Sequence, residues 1–141
     1  MNANAAANAA ANDAAYVAAR EKVKAKYDAA QEEAKKLFKA AYKKANNKYT
    51  NGQKAAEKQK RQAYMSLCLS TGPVMQDINS AIPSATRQGA DAIYLTTIDN
   101  ISVTRTAELK AARDISDAMS AGARTIYEHE MRRLRLMNEA Q

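Results

Sequence analysis

The chain has 141 residues and a net charge of +7, room for one domain or one domain with an arm. It has no Trp and one Phe, and Ala supplies much of its apolar content, which excludes a thick core of large side chains and points to stability gained through assembly. One Cys and one His exclude an internal disulfide and a multi-His metal site, and the absence of phosphate-loop, dinucleotide-loop and nucleophile-elbow patterns marks a non-enzymatic protein that calls for no cofactor.

The opening "MNANAAANAAANDAA" does not read as a signal peptide, because it lacks a basic region and Asn interrupts the Ala run. No stretch approaches the ~18 apolar residues of a membrane span. Asn4, Asn8 and Asn12 recur every fourth residue. Within so much Ala they read as a polar ridge on a helix that begins near Ala5.

From Tyr16 the chain repeats. YVAAREKVKAK, YDAAQEEAKKL and FKAAYKKANNK follow one another, then a decayed YTNGQKAAEKQ. Each unit is an aromatic, any residue, Ala, Ala, then charges, with Val or Ala at the eighth position. Eleven residues make three turns at ~3.67 per turn, close to the relaxed helix. The first, fourth and eighth positions therefore form a stripe with little drift. Tyr16, Val23, Tyr27, Phe38 and Tyr49 are its larger members, with Ala19, Ala30, Ala34, Ala41 and Ala45 between them. The expectation is a long, nearly straight helix over Ala5–Lys48 that packs this stripe on another helix. Asn46, Asn47 and the Asn51-Gly52 pair predict a kink or fray, followed by more helix from Gln53 to Leu69. Cys68, among Met65, Leu67 and Leu69, reads as a small buried hydrophobe.

"STGPV" at Ser70–Val74 predicts the reversal of the chain, with Gly72 closing one helix and Pro73 opening the next. Val74, Ile78, Ala81 and Ile82 pattern a short amphipathic helix that Pro83 stops, and Ser84 is placed to cap the helix after it. Ile93–Val103 is rich in β-branched residues. The spacing of Ala90, Tyr94, Ile98, Ile101 and Arg105 is nevertheless helical. Beyond Thr106, steps of three and four join Ala112, Ile115, Met119, Gly122 and Ile126 into a coiled-coil-like seam. Arg132, Arg133 and Arg135 near the C-terminus suit the negative end of a helix dipole. Glu128 and Glu130 flank His129 but point to different sides of a helix. The fold class is therefore all-α, an elongated helical hairpin.

Charge divides the chain after Arg61. Residues 1–61 carry 14 Lys+Arg against 6 Asp+Glu, and residues 62–141 carry 8 against 9. The first part reads as a basic, Ala/Lys-rich long helix forming an arm. The second reads as an assembly body of turn, short helix and return helices. A basic arm on a near-neutral body points to a polyanion partner. Lys22, Lys24, Lys26, Lys35, Lys36, Lys39, Lys43 and Lys44 are the candidate contacts.

The Ala/Asn-rich opening, the charged helix "AAREKVKAKYDAAQEEAKK", the turn "STGPV" and the return through "RQGADAIYLTTIDNISVTRTAELKAARD" together resemble the small internal (core or ejection) proteins of short-tailed phages. That resemblance implies a helical, non-enzymatic protein inside the virion, assembled in multiple copies with itself and other virion proteins near the packaged DNA. Sequence-independent nucleic-acid contact and membrane contact on leaving the particle belong to the same implication. The chain departs from such proteins in lacking a strongly hydrophobic segment. Two other readings fit parts of the sequence. A DNA-wrapping coat protein of filamentous archaeal viruses accounts for the basic arm, yet a rod of about 45 residues spans ~68 Å without a Pro or Gly to bend it. An amphipathic eleven-residue-repeat protein of lipid surfaces accounts for the stripe.

Overall fold

The computed structural model describes residues 3–71 and 84–141. They form two helices, α1 over Ala3–Thr71 and α2 over Ser84–Glu139, with no strand among the described residues. The protein is an all-α helical hairpin. Neither helix contains a proline, since the two prolines of the chain are Pro73 and Pro83. α2 begins at Ser84, immediately after Pro83, where the sequence placed a cap. Val74 to Ile82, with most of the expected reversal at Ser70–Val74, lie outside the described residues. So does the side chain of Cys68.

The expected fray at Asn46–Gly52 does not occur, and α1 runs as continuous helix through it. The reason is packing. Gly52 occupies the fourth position of the fourth repeat, where the earlier repeats place Ala. A Cβ added there would lie 2.9 Å from Ile101 Cδ1. The glycine lets α2 approach; it does not end a helix, and its cost of about 1 kcal/mol in helix propensity is offset by that contact.

The β-branched segment of α2 is helical throughout. Its threonines stay compatible with the helix by turning their hydroxyls inward. Thr96, Thr97, Thr104 and Thr106 each donate to the carbonyl four residues back, at 2.8–3.0 Å.

Contacts divide the chain into two units, a division distinct from the change of charge after Arg61. The first unit joins Met1–Ala40 with Ala112–Gln141, and the second comprises Ala41–Ala111. In each, one stretch of α1 packs antiparallel on one stretch of α2.

The core is thin. Among the described residues the fully buried apolar ones are Ala34, Ala45 and Ala56. They stand eleven apart, each at the eighth position of a repeat. Tyr16, Val23, Tyr27, Phe38 and Tyr49 are all half-buried. The stripe is therefore a seam of rings and small residues on which α2 lies.

α2 answers with the same period. Ala90, Ile101, Ala112, Ala123 and Leu134 are half-buried and eleven apart, as are Tyr94, Arg105, Ser116 and Tyr127. Within the hairpin this period differs from the seam expected from steps of three and four. Ala112 and Met119 are half-buried, whereas Ile115, Gly122 and Ile126 are exposed. A heptad seam would drift off a partner whose own stripe repeats every eleven residues, so α2 has to follow the pitch of α1.

Candidate nucleic-acid interface

All eight lysines expected to meet a polyanion are exposed. The two units use their cations differently. In the first unit, 12 Lys+Arg face 10 Asp+Glu, and in the second 10 face 5. Lys22, Lys24, Lys26, Lys35, Lys36 and Lys39 belong to the first unit, where Glu21, Asp28, Glu32 and Glu33 interleave with them. Lys35 Nζ lies 2.8 Å from Glu32 Oε1. That pair, with the charges of Lys36 and Lys39 nearby, holds the Glu32 carboxyl below its ordinary range, the hydrogen bond from Lys35 contributing most. Lys35 is raised by the same bond.

Lys43 and Lys44 belong to the second unit. There α1 carries Lys43, Lys44, Lys54, Lys58 and Arg61 exposed, with Glu57 the sole carboxylate from Ala41 to Leu67. At 100° per residue, Lys43, Lys54, Lys58 and Arg61 fall within an arc of about 60°, on the side of the helix opposite Ala45, Gly52 and Ala56. They make an outward ridge about 27 Å long. Lys54, Lys58 and Arg61 were not among the residues singled out from sequence. Their signal was the shortage of carboxylates between Ala41 and Leu67, which a count of lysines alone does not register.

The remaining two lysines of this stretch are spent across the seam. Lys48 Nζ lies 2.6 Å from Glu108 Oε1. Lys60 Nζ lies 3.3 Å from Asp91 Oδ1 and sits over the Tyr94 ring at 4.8 Å and the Tyr64 ring at 5.7 Å. The Tyr64 hydroxyl donates to Asp91. That bond is the largest cause lowering the Asp91 carboxyl, with Lys60 and Arg87 adding to it against the desolvation that raises it. It also raises the Tyr64 phenol above its ordinary value, aided by burial. Deeper along the same seam, Arg105 Nε donates to Asn46 Oδ1 at 2.7 Å, and the guanidinium lies 4.7 Å from the Tyr49 ring centre. Gln53 Nε2 donates to the Tyr49 hydroxyl at 3.0 Å. These polar groups satisfy one another and fix the register. They leave the outward ridge uncompensated.

The ridge presents positive charge outward. Exposed ammonium groups on a helix meet phosphate oxygens; they do not read base edges. Among the described residues there is no group of three His, Cys, Asp or Glu placed to hold a metal, and no helix long and apolar enough to cross a membrane. His129 is exposed. No family model, curated protein or solved structure matches the chain.

Proposed function

We propose that the protein is a non-enzymatic, α-helical structural component of a virion, of the internal or ejection type, assembled in multiple copies beside packaged DNA. The observation that carries the nucleic-acid part is the outward ridge of Lys43, Lys54, Lys58 and Arg61 on α1, which stands free of carboxylates apart from Glu57. The virion part rests on the resemblance drawn from the Ala/Asn-rich opening, the charged repeats and the return segment. The thin alanine core supports an assembled state, because the described residues bury no large side chain completely and neighbours can supply the remaining stability.

In this reading the lysines lie along the duplex and neutralise phosphates without sequence preference. About four cations on one side of α1 can reach one duplex, so the affinity of the full chain falls with salt at a log–log slope of roughly −3 to −4. Replacing Lys43, Lys54, Lys58 and Arg61 together by Gln brings the slope close to zero, whereas replacing Lys22, Lys24, Lys26 and Lys36 changes it less. A full chain that binds no duplex at moderate salt removes DNA from the proposal. Electron microscopy of assembled particles tests the location directly: density for the chain outside the particle interior removes the virion-internal assignment.

A further inference from the structure

The first unit carries an apolar surface that its own hairpin leaves bare. Ile115 is 60% exposed and Ile126 63% exposed, and Leu37 on α1 is 49% exposed. The hairpin register places all three on one face. Ser116 Oγ donates to the carbonyl of Ala34 at 3.4 Å, and Gln31 Nε2 donates to that of Ser120 at 3.1 Å. Leu37 is therefore nearly level with Ile115. Further along, Ile126 and Lys26 line one groove with Val23 and Tyr27. Ile115 and Ile126 are eleven apart, the same pitch as both buried seams. A surface with that pitch fits another helix lying along α2, because the stripe would drift away from anything that does not share it.

Gly122 stands between the two isoleucines. A Cβ built on it meets nothing within 4 Å. Gly52 is explained inside the chain by Ile101; Gly122 has no such partner, and a glycine in a helix interior costs about 1 kcal/mol relative to Ala. Gly89 is open in the same way, but Gly122 lies between two exposed isoleucines, where the missing side chain leaves room for another helix to approach.

We infer that this face takes a second copy of the same chain, packed antiparallel about a two-fold axis. The inference deepens the multi-copy reading above and shares its premise that the chain assembles. Two features favour self-association over another partner. First, the stripe is self-complementary. With the axis level with Ser120–Ala121, Ile115 of one copy stands level with Ile126 of the other, and Met119 with Gly122, each contact made twice. The long, flexible Met lies beside the place where the glycine leaves room. Second, the charges agree with the same axis. The hairpin register, Ser116 with Ala34 and Ser120 with Gln31, puts it at about Ala30 on α1, where small residues allow approach. Lys26 of one copy is then within a turn of Glu33 of the other, again twice. Among the described residues neither Lys26 nor Glu33 forms an ion pair within its own chain.

Sedimentation equilibrium of the full chain without nucleic acid tests this. The expected result is a dimer at micromolar concentration whose dissociation constant rises at least tenfold in Ile126→Asp. Lys26→Glu and Glu33→Lys each weaken it several-fold, and the double variant, or a mixture of the two single variants, restores it. Ile126 is exposed in the hairpin, so circular dichroism at matched concentration separates lost association from lost folding, and the charge-swap rescue reports on the pairing even if the aspartate variant unfolds. A wild-type monomer at about 100 μM, or an Ile126→Asp chain that associates as tightly as the wild type, overturns the inference; so does a double swap that fails to restore association. Duplex binding measured on the same variants keeps the two readings apart. Salt-dependent binding by a chain that stays monomeric removes this interface alone, and a dimer that ignores DNA removes the nucleic-acid reading alone.

Discussion

The two units are built from the same two helices with the same eleven-residue period, yet they close their seams by different means. In the first, the contacts are rings and small groups. Tyr27 and Tyr127 meet at 4.9 Å between ring centres with their planes tilted by 37°, and Gln31 and Ser116 reach only backbone carbonyls. In the second, long polar side chains cross the seam: Lys48 to Glu108, Lys60 to Asp91, Arg105 to Asn46. A cation committed to a seam is lost to an external polyanion, while one left on the outer side of the helix is available to it. The second unit does both, because α1 there carries cations in excess of what its seam uses. The first unit has nearly as many carboxylates as cations, and its exposed isoleucines, Ile115 and Ile126, stand eleven apart on one face. A shared helical period thus sets where side chains point, and the local choice of residue decides what each face attracts.

The sharpest way to break that comparison is to remove the rings. Replacing both Tyr27 and Phe38 by Ala takes two half-buried aromatics from the first unit. Full burial would make each worth about 3–5 kcal/mol, so half-burial gives about 2 kcal/mol each. Hydrogen exchange resolves the outcome by unit. Amides of Tyr16–Ala40 and Ala112–Leu134 lose protection, and those of Ala45–Ala63 keep theirs if the polar seam stands alone. Equal loss in both would show that the two seams melt as one and that the contrast between them is not energetic.

The glycines sharpen the same contrast at a smaller scale. Gly52→Leu forces side-chain atoms into the space of Ile101 and should destabilise the second unit by about 1–3 kcal/mol, read from denaturant midpoints. Gly122→Leu places its Cβ in open space, with nothing of its own chain within 4 Å. At concentrations too low for association it should leave stability unchanged or raise it slightly through helix propensity. Equal losses at the two positions would mean that Ile101 yields easily and that the close approach at Gly52 is not what holds α2 in place.

These positions also show how far the sequence could be read. The period of α1 was legible because Tyr16, Tyr27, Phe38 and Tyr49 mark it with one residue class, and the structure half-buries all of them. The identical period of α2 was not, because its positions carry unlike residues: Ala90, Ile101, Ala112, Ala123 and Leu134 share no chemistry. The large apolar side chains Ile115 and Ile126 drew the seam toward themselves, although the hairpin buries the small ones beside them. Gly52 follows Asn51, and that pair commonly makes a turn. Only the neighbour across the seam reveals that the glycine serves packing. For the candidate interface, every lysine singled out is exposed, since a Lys-rich helix face has nowhere else to go. The balance between units was hidden, because it depends on which carboxylates of α2 fold back beside which lysines of α1.

The smallest effect tests the polar seam by pH. Tyr64 donates to Asp91, and this bond raises the phenol and lowers the carboxyl. The two signs bracket a window. For Asp91, a folded value below the unfolded one means that its contribution is complete above the unfolded carboxylate range and is lost as pH falls through the lowered folded value. For Tyr64, a folded value above the unfolded one means that its contribution is complete below the unfolded phenol value and is lost as pH rises through the raised folded value. The second unit should therefore hold its full stability between those limits and weaken beyond each. Tyr64→Phe removes the shared hydrogen bond and with it the alkaline loss assigned to this residue, and it reduces the acid loss to what Lys60 and Arg87 sustain. Both groups are partly open to water, so the change is small, and thermal melts of wild type and variant across the pH range are the comparison that resolves it. Parallel profiles for the two chains would show that the Tyr64–Asp91 bond does not persist in solution and that the cations beside Asp91, Lys60 and Arg87, carry its share of the seam.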